Sequence, residues 1–123
     1  MTRPRVLPLL LAALALSPAL ASAHATLVKS SPARRATLAE APARVELVFS
    51  ERLEAAYARL RVEDASGARV DLGDISVARD DGRRLTVSLP PLPAGVYTIR
   101  FRVVSVDGHV VESSLPFTVK PRR

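Results

Sequence analysis

Tyr97-Thr98-Ile99-Arg100-Phe101-Arg102-Val103-Val104-Ser105-Val106-Asp107-Gly108-His109 is the stretch that decides the fold. Tyr97, Ile99, Phe101 and Val103 share one parity, while Thr98, Arg100 and Arg102 share the other. Successive side chains of a β-strand point to opposite faces, so this alternation predicts a strand with one apolar and one polar side. The strand runs into a carboxylate and an imidazole two residues apart, with a glycine between them. In an extended or gently turning backbone, positions i and i+2 project to the same side. Asp107 and His109 can therefore address one point in space.

The same period recurs on either side of this stretch. Val45, Leu47 and Phe49 alternate with Glu46; Ala58, Leu60 and Val62 alternate with Arg59, Arg61 and Glu63. Leu85, Val87 and Leu89 alternate with Thr86 and Ser88, and Leu115, Phe117 and Val119 close the chain in the same way. A short opening strand is expected at 24–28, broken by Ser30-Ser31-Pro32-Ala33, and a weaker one around 70–72. Residues 51–57 can make a helical turn but are too few for a helix. Glycine and proline punctuate the chain at intervals of about 8–12 residues, as expected of about seven short strands. The expected class is all-β: a single-domain Greek-key barrel or sandwich, immunoglobulin-like with cupredoxin-like topology. Phe49, Tyr97, Phe101 and Phe117 lie on apolar parities and are assigned to its core.

The first 23 residues read differently. Arg3 and Arg5 precede an almost wholly apolar run over 6–20, and Ala21-Ser22-Ala23 has the small-x-small pattern of a signal-peptidase site. That run of about 15 residues is short for a membrane-spanning helix, which needs about 20. Residues 1–23 are expected to be a cleaved signal peptide and 24–123 one small domain. The absence of cysteine argues against a lipid anchor at the cleavage point and leaves no disulfides, so stability rests on the β-core. Removing Arg3 and Arg5 lowers the formal charge from +6 to +4. The arginines are scattered along the chain, whereas nucleic acid or anionic lipid asks for a concentrated patch. The charge reads as a solvated surface.

Cleavage after Ala23 makes His24 the amino terminus, and His24 and His109 are the only two histidines. An N-terminal histidine chelates through its α-amine and ring Nδ1; the α-amine, with a pKa near 8, yields its proton to a metal more readily than a lysine does. His109 adds a third nitrogen and Asp107 an oxygen. A tetragonal N,O set suits Cu(II), which also stands highest in the divalent affinity order. Cu(I) prefers thiolate or thioether, and the chain has no cysteine and no methionine besides Met1.

With those residues in view, the sequence resembles the CopC family of periplasmic copper-binding proteins. The resemblance rests on H-A-x-L-V-x-S-x-P from His24, V-x-L-x-F-S-E at 45–51, L-P-A-G-x-Y-x-I-x-F-R-V-V-S-x-D-G-H at 92–109, and F-x-V at 117–119. It covers essentially all of 24–123, and the order and spacing of the motifs are more specific than any one of them. It implies a small Greek-key β-barrel that binds one Cu(II) per chain through His24 (amine and Nδ1), Asp107 and His109. Glu51 matches an acidic family position and is a further candidate, as an outer-sphere or weak ligand. The resemblance implies a monomeric periplasmic protein for copper homeostasis or resistance, without catalysis, which sequesters copper or delivers it to a CopD-type inner-membrane importer. Two departures matter. No methionine-rich loop is present for Cu(I), and Val110-Val111-Glu112-Ser113 replaces the proline and glycine often found after the histidine.

Other readings compete with this one. A lone D-G-H is commonly only a turn. Two histidines, one N-terminal, also form the brace of lytic polysaccharide monooxygenases. Against that stand the short chain, the lack of exposed aromatics for a polysaccharide, and Asp107 filling a position that oxygen activation needs open. A metal-free immunoglobulin-like interaction module would leave both histidines without a role. Ser105 beside Asp107 and His109 suggests hydrolase chemistry, but Asp-x-His in one turn is poor triad geometry with no evident oxyanion hole.

Overall fold

Val45, Leu47 and Phe49 turn inward together, as do Leu85 and Val87, Leu60 and Val62, and Tyr97, Ile99, Phe101 and Val103. These rows belong to eight strands in a computed structural model that describes residues 2, 4 and 26–122. The strands are β1 (Leu27–Ser31), β2 (Thr37–Leu38), β3 (Arg44–Phe49), β4 (Arg59–Glu63), β5 (Ser76–Val77), β6 (Arg84–Ser88), β7 (Gly95–Val104) and β8 (Val110–Val119). They form two four-stranded sheets, ordered β1-β3-β6-β5 and β2-β8-β7-β4. All pairings are antiparallel except β2 with β8. The architecture is a β-sandwich, so of the two expected forms the barrel is set aside. Nearly all of 1–23, including the cleavage point, lies outside the described residues. No helix among the described residues is long and apolar enough to cross a membrane.

The inward rows of the two sheets meet in one core. Phe49 from the first sheet packs edge-on against Phe101 from the second, ring centres 5.3 Å apart and planes at 72°. Tyr97 stacks on Phe117 at 5.3 Å, and its hydroxyl donates to the Pro93 carbonyl at 2.5 Å. Each such side chain contributes about 1.5–3 kcal/mol by leaving water. Tyr57, which the pattern left unassigned, is exposed.

Some expected boundaries shift. The opening strand begins at Leu27 and extends through Ser31; the turn in 51–57 is a 3-10 turn at Ala55–Tyr57. No strand forms at 70–72. There, Asp71 turns back on the edge of β4: its carboxylate accepts the Val62 N–H at 2.8 Å, the Gly73 N–H at 2.9 Å and the forked Arg69 guanidinium at 3.0–3.1 Å. Its side chain is fully covered. A backbone donor that would otherwise face a neighbouring chain is thereby closed off. The last strand starts at Val110, five residues before its apolar row, because β7 carries it along in register from Val104 opposite Val110.

Candidate metal centre

β7 and β8 form one long hairpin, and residues 105–109 are its tip. The Gly108 N–H donates to the Ser105 carbonyl at 2.8 Å, and the Ser105 N–H to the His109 carbonyl at 2.9 Å. Gly108 has φ +91°, a conformation an L side chain rarely adopts. The D-G-H sequence is thus a tight turn and also carries the candidate ligands.

Ser105 continues the inward row of Tyr97, Ile99, Phe101 and Val103 and is fully buried. Its hydroxyl donates to Asp107 Oδ1. The other oxygen, Asp107 Oδ2, lies 3.0 Å from His109 Nδ1. The His109 N–H also approaches Ser105 Oγ at 3.3 Å. The Ser105 hydroxyl, foremost, and then the His109 ring hold the Asp107 carboxyl below the usual carboxylate range. A neutral imidazole that donates from Nδ1 to this carboxylate carries its lone pair on Nε2. The spacing predicted two side chains aimed at one point. Here they meet each other, in the carboxylate–histidine arrangement that orients a ligating ring.

The tip is fastened to residues 52–54. The Val106 N–H donates to the Arg52 carbonyl at 2.9 Å and the Glu54 N–H to the Val104 carbonyl at 2.8 Å; Leu53, which is buried, bridges to Ser105. Just upstream, Ser50 holds Thr26. The Ser50 N–H donates to the Thr26 carbonyl at 2.8 Å, and Ser50 Oγ accepts the Thr26 N–H at 2.8 Å and hydroxyl at 3.2 Å. Residues 50–54 therefore tie the start of the described chain to the hairpin tip. Glu51 sits between these two attachments, half-buried. His24 lies outside the described residues. Among the described residues no group of three or more histidine, cysteine, aspartate or glutamate side chains converges.

Ser105 and Ser50 were missed as contributors. Ser105 had a legible signal, a hydroxyl at the position where the inward row calls for an apolar residue. Ser50 had none beyond ending a strand. A surface groove of about 700 Å³ lies away from the site, between residues 39–43 and 89–94 at the other end of β7.

The domain is a two-sheet β-sandwich with a carboxylate–histidine pair on a hairpin tip. The chain belongs to the CopC family, whose domain profile, described as CopC domain, matches residues 27–120. Copper transport protein CutJ of Bacillus subtilis is 38% identical over 120 residues, covering 97% of this chain but only 22% of CutJ. Copper resistance protein C of Xanthomonas campestris pv. juglandis is 36% identical over 114 residues, covering 88% of this chain and 89% of that protein. The crystal structure of CopC from Methylosinus trichosporium OB3b superposes with a TM-score of 0.76 at 37% identity, over 81% of this chain and 97% of that one.

Proposed function

We propose that the chain is a copper-binding protein of copper homeostasis and resistance, carrying one Cu(II) as cargo and catalysing nothing. The observation that carries the reading is the Asp107–His109 contact at 3.0 Å, with Asp107 held in turn by buried Ser105. A ring oriented in this way offers Nε2 to a metal with little freedom left to lose. Two donors from one hairpin do not make a tight site. The remaining nitrogens are assigned to the α-amine and Nδ1 of His24. Thr26, two residues after His24 in the sequence, is held by Ser50, and this attachment supports assigning those donors to His24. Asp107 supplies the oxygen directly or acts through His109, and Glu51 is the outer candidate beside them.

The donor chemistry fits Cu(II). It consists of nitrogen and oxygen, and the sequence has no cysteine and no methionine after Met1. The relatives named for copper transport and copper resistance support the same cargo. With residues 1–23 removed as a signal peptide, the domain acts as a monomer in the periplasm. It sequesters copper or passes it to an inner-membrane importer of the CopD type.

The test compares two forms of the protein by Cu(II) titration followed by EPR: one beginning at His24, the other with one extra glycine before it. The expected result is one-to-one binding with nitrogen hyperfine structure in the first form, weakened or altered in the second. Identical spectra and affinities would remove the α-amine from the ligand set and leave a fold without this site.

A further inference from the structure

The outer face of the second sheet carries charge that the hairpin site does not use. In sequence its arginines are scattered, but the β4–β7 register sets Arg59 opposite Arg102 and Arg61 opposite Arg100. Four exposed guanidinium stems thus rise from one block of two adjacent strands. Like charges directly opposite on a ladder destabilise it. The carboxylates on this face are Glu63, paired with Arg61 at 3.1 Å and Arg100 at 2.8 Å, and Glu112, opposite Arg102 on β8. Arg59 donates to the carbonyls of Ala56 and Ala58. Neither Arg59 nor Arg102 forms an ion pair among the described residues. A groove of about 650 Å³ runs over the block, and Arg69 and Ser114 add to its lining.

We propose that this face docks an extended acidic segment of another protein, with carboxylates at alternate residues. Glu63 is the template within the fold: one carboxylate spans the cross-strand pair Arg61 and Arg100, an oxygen to each. The neighbouring pair, Arg59 and Arg102, has the same cross-strand relation and lacks the bridging carboxylate. An incoming glutamate or aspartate completes it. Along β4 and along β7 the arginines stand two residues apart, about 6.6–6.8 Å in a strand. Alternate side chains of an extended peptide repeat at that interval, so its next carboxylate falls over Arg61 and Arg100, whose guanidinium groups hold further N–H donors. A lipid surface has no such period, and this distinguishes the two kinds of anionic partner.

The probes are two short fluorescein-labelled peptides of identical composition, one alternating glutamate with threonine, the other with its glutamates in a block. Binding is read by fluorescence anisotropy at low ionic strength without copper, which separates this result from the outcome at the metal site. The alternating peptide should bind saturably and about tenfold more tightly than the block peptide. Arg102→Ser, and Arg59→Ser with Arg102→Ser, should lose about tenfold with melting temperature retained. Arg44→Ser on the first sheet should change nothing. No saturable binding, equal binding of both peptides, or undiminished binding by the Arg102→Ser protein would overturn the proposal. So would preference for phosphatidylglycerol vesicles over the alternating peptide.

Discussion

Asp107 Oδ2 and His109 Nδ1 stand 3.0 Å apart at the tip of the β7–β8 hairpin, and buried Ser105 donates to the other oxygen of the same carboxylate. The order Ser105, Asp107, His109 is a relay of orientation: a core position fixes a carboxylate, and the carboxylate fixes a ring. Asp107→Asn keeps the shape and removes the charge. It should weaken Cu(II) binding about 10–100-fold in competition with a chelator. His109→Ala should abolish tight binding and, with it, any rise in melting temperature on adding Cu(II). Asp107→Asn with wild-type affinity would show that the carboxylate neither ligates nor orients.

Ser105→Ala tests the first link alone. The deleted hydroxyl sits in the core, and the partner it leaves is part-exposed and reachable by water. Its stability cost should therefore be about 1 kcal/mol by urea denaturation, the usual net value of one hydrogen bond. Copper affinity should fall more than stability does. Equal copper affinity in the variant would leave Ser105 a packing residue only.

The aromatic contact between sheets lies beneath this end of the hairpin. Phe101→Ala removes the edge-on contact with Phe49 and opens a cavity at a position only 4% exposed. The expected loss is about 3–5 kcal/mol, read as a shifted urea midpoint. In a domain stabilised by about 5–15 kcal/mol, that is enough to place the protein near its unfolding threshold. A loss under 1 kcal/mol would mean that the two sheets do not depend on this pair.

Asp71 contributes to the acid sensitivity. Burial by itself raises its pKa, but the Arg69 guanidinium and the N–H groups of Val62 and Gly73 outweigh burial and hold it below the ordinary 3.8. A carboxyl depressed in the folded state stabilises fully above its unfolded pKa, and that contribution disappears as pH falls through the folded value. Stability should therefore decline below about pH 4 in the wild type, and the decline should be shallower in Asp71→Asn. At neutral pH the variant should be less stable by about 1–3 kcal/mol. Parallel stability–pH curves for the two proteins would refute the assignment.

The sequence made the core rows legible because burial on one face writes a period of two into the chain. Val45 to Phe49 and Tyr97 to Val103 needed no structural help. β2 and β5 did not show, since two residues contain no period and their pairing depends on partners far away in the chain. The strand expected at 70–72 failed for a different reason. Val70 and Leu72 flank Asp71 with the right alternation, but the aspartate bonds to backbone and guanidinium groups and bends the segment around itself. At the site, Asp107 and His109 were legible from their spacing; their mutual contact was not, because it follows from the Gly108 turn. The four-arginine face was invisible for the same reason as β2, since register gathers residues that sequence keeps apart.

Residues 50–54 hold Thr26 by Ser50 and the hairpin tip by Arg52 and Glu54. Two regions near opposite ends of the chain thus take their positions from one common reference rather than from each other. A coordination sphere built between these regions would depend on the contacts of Ser50 and Arg52 as well as on its own donors.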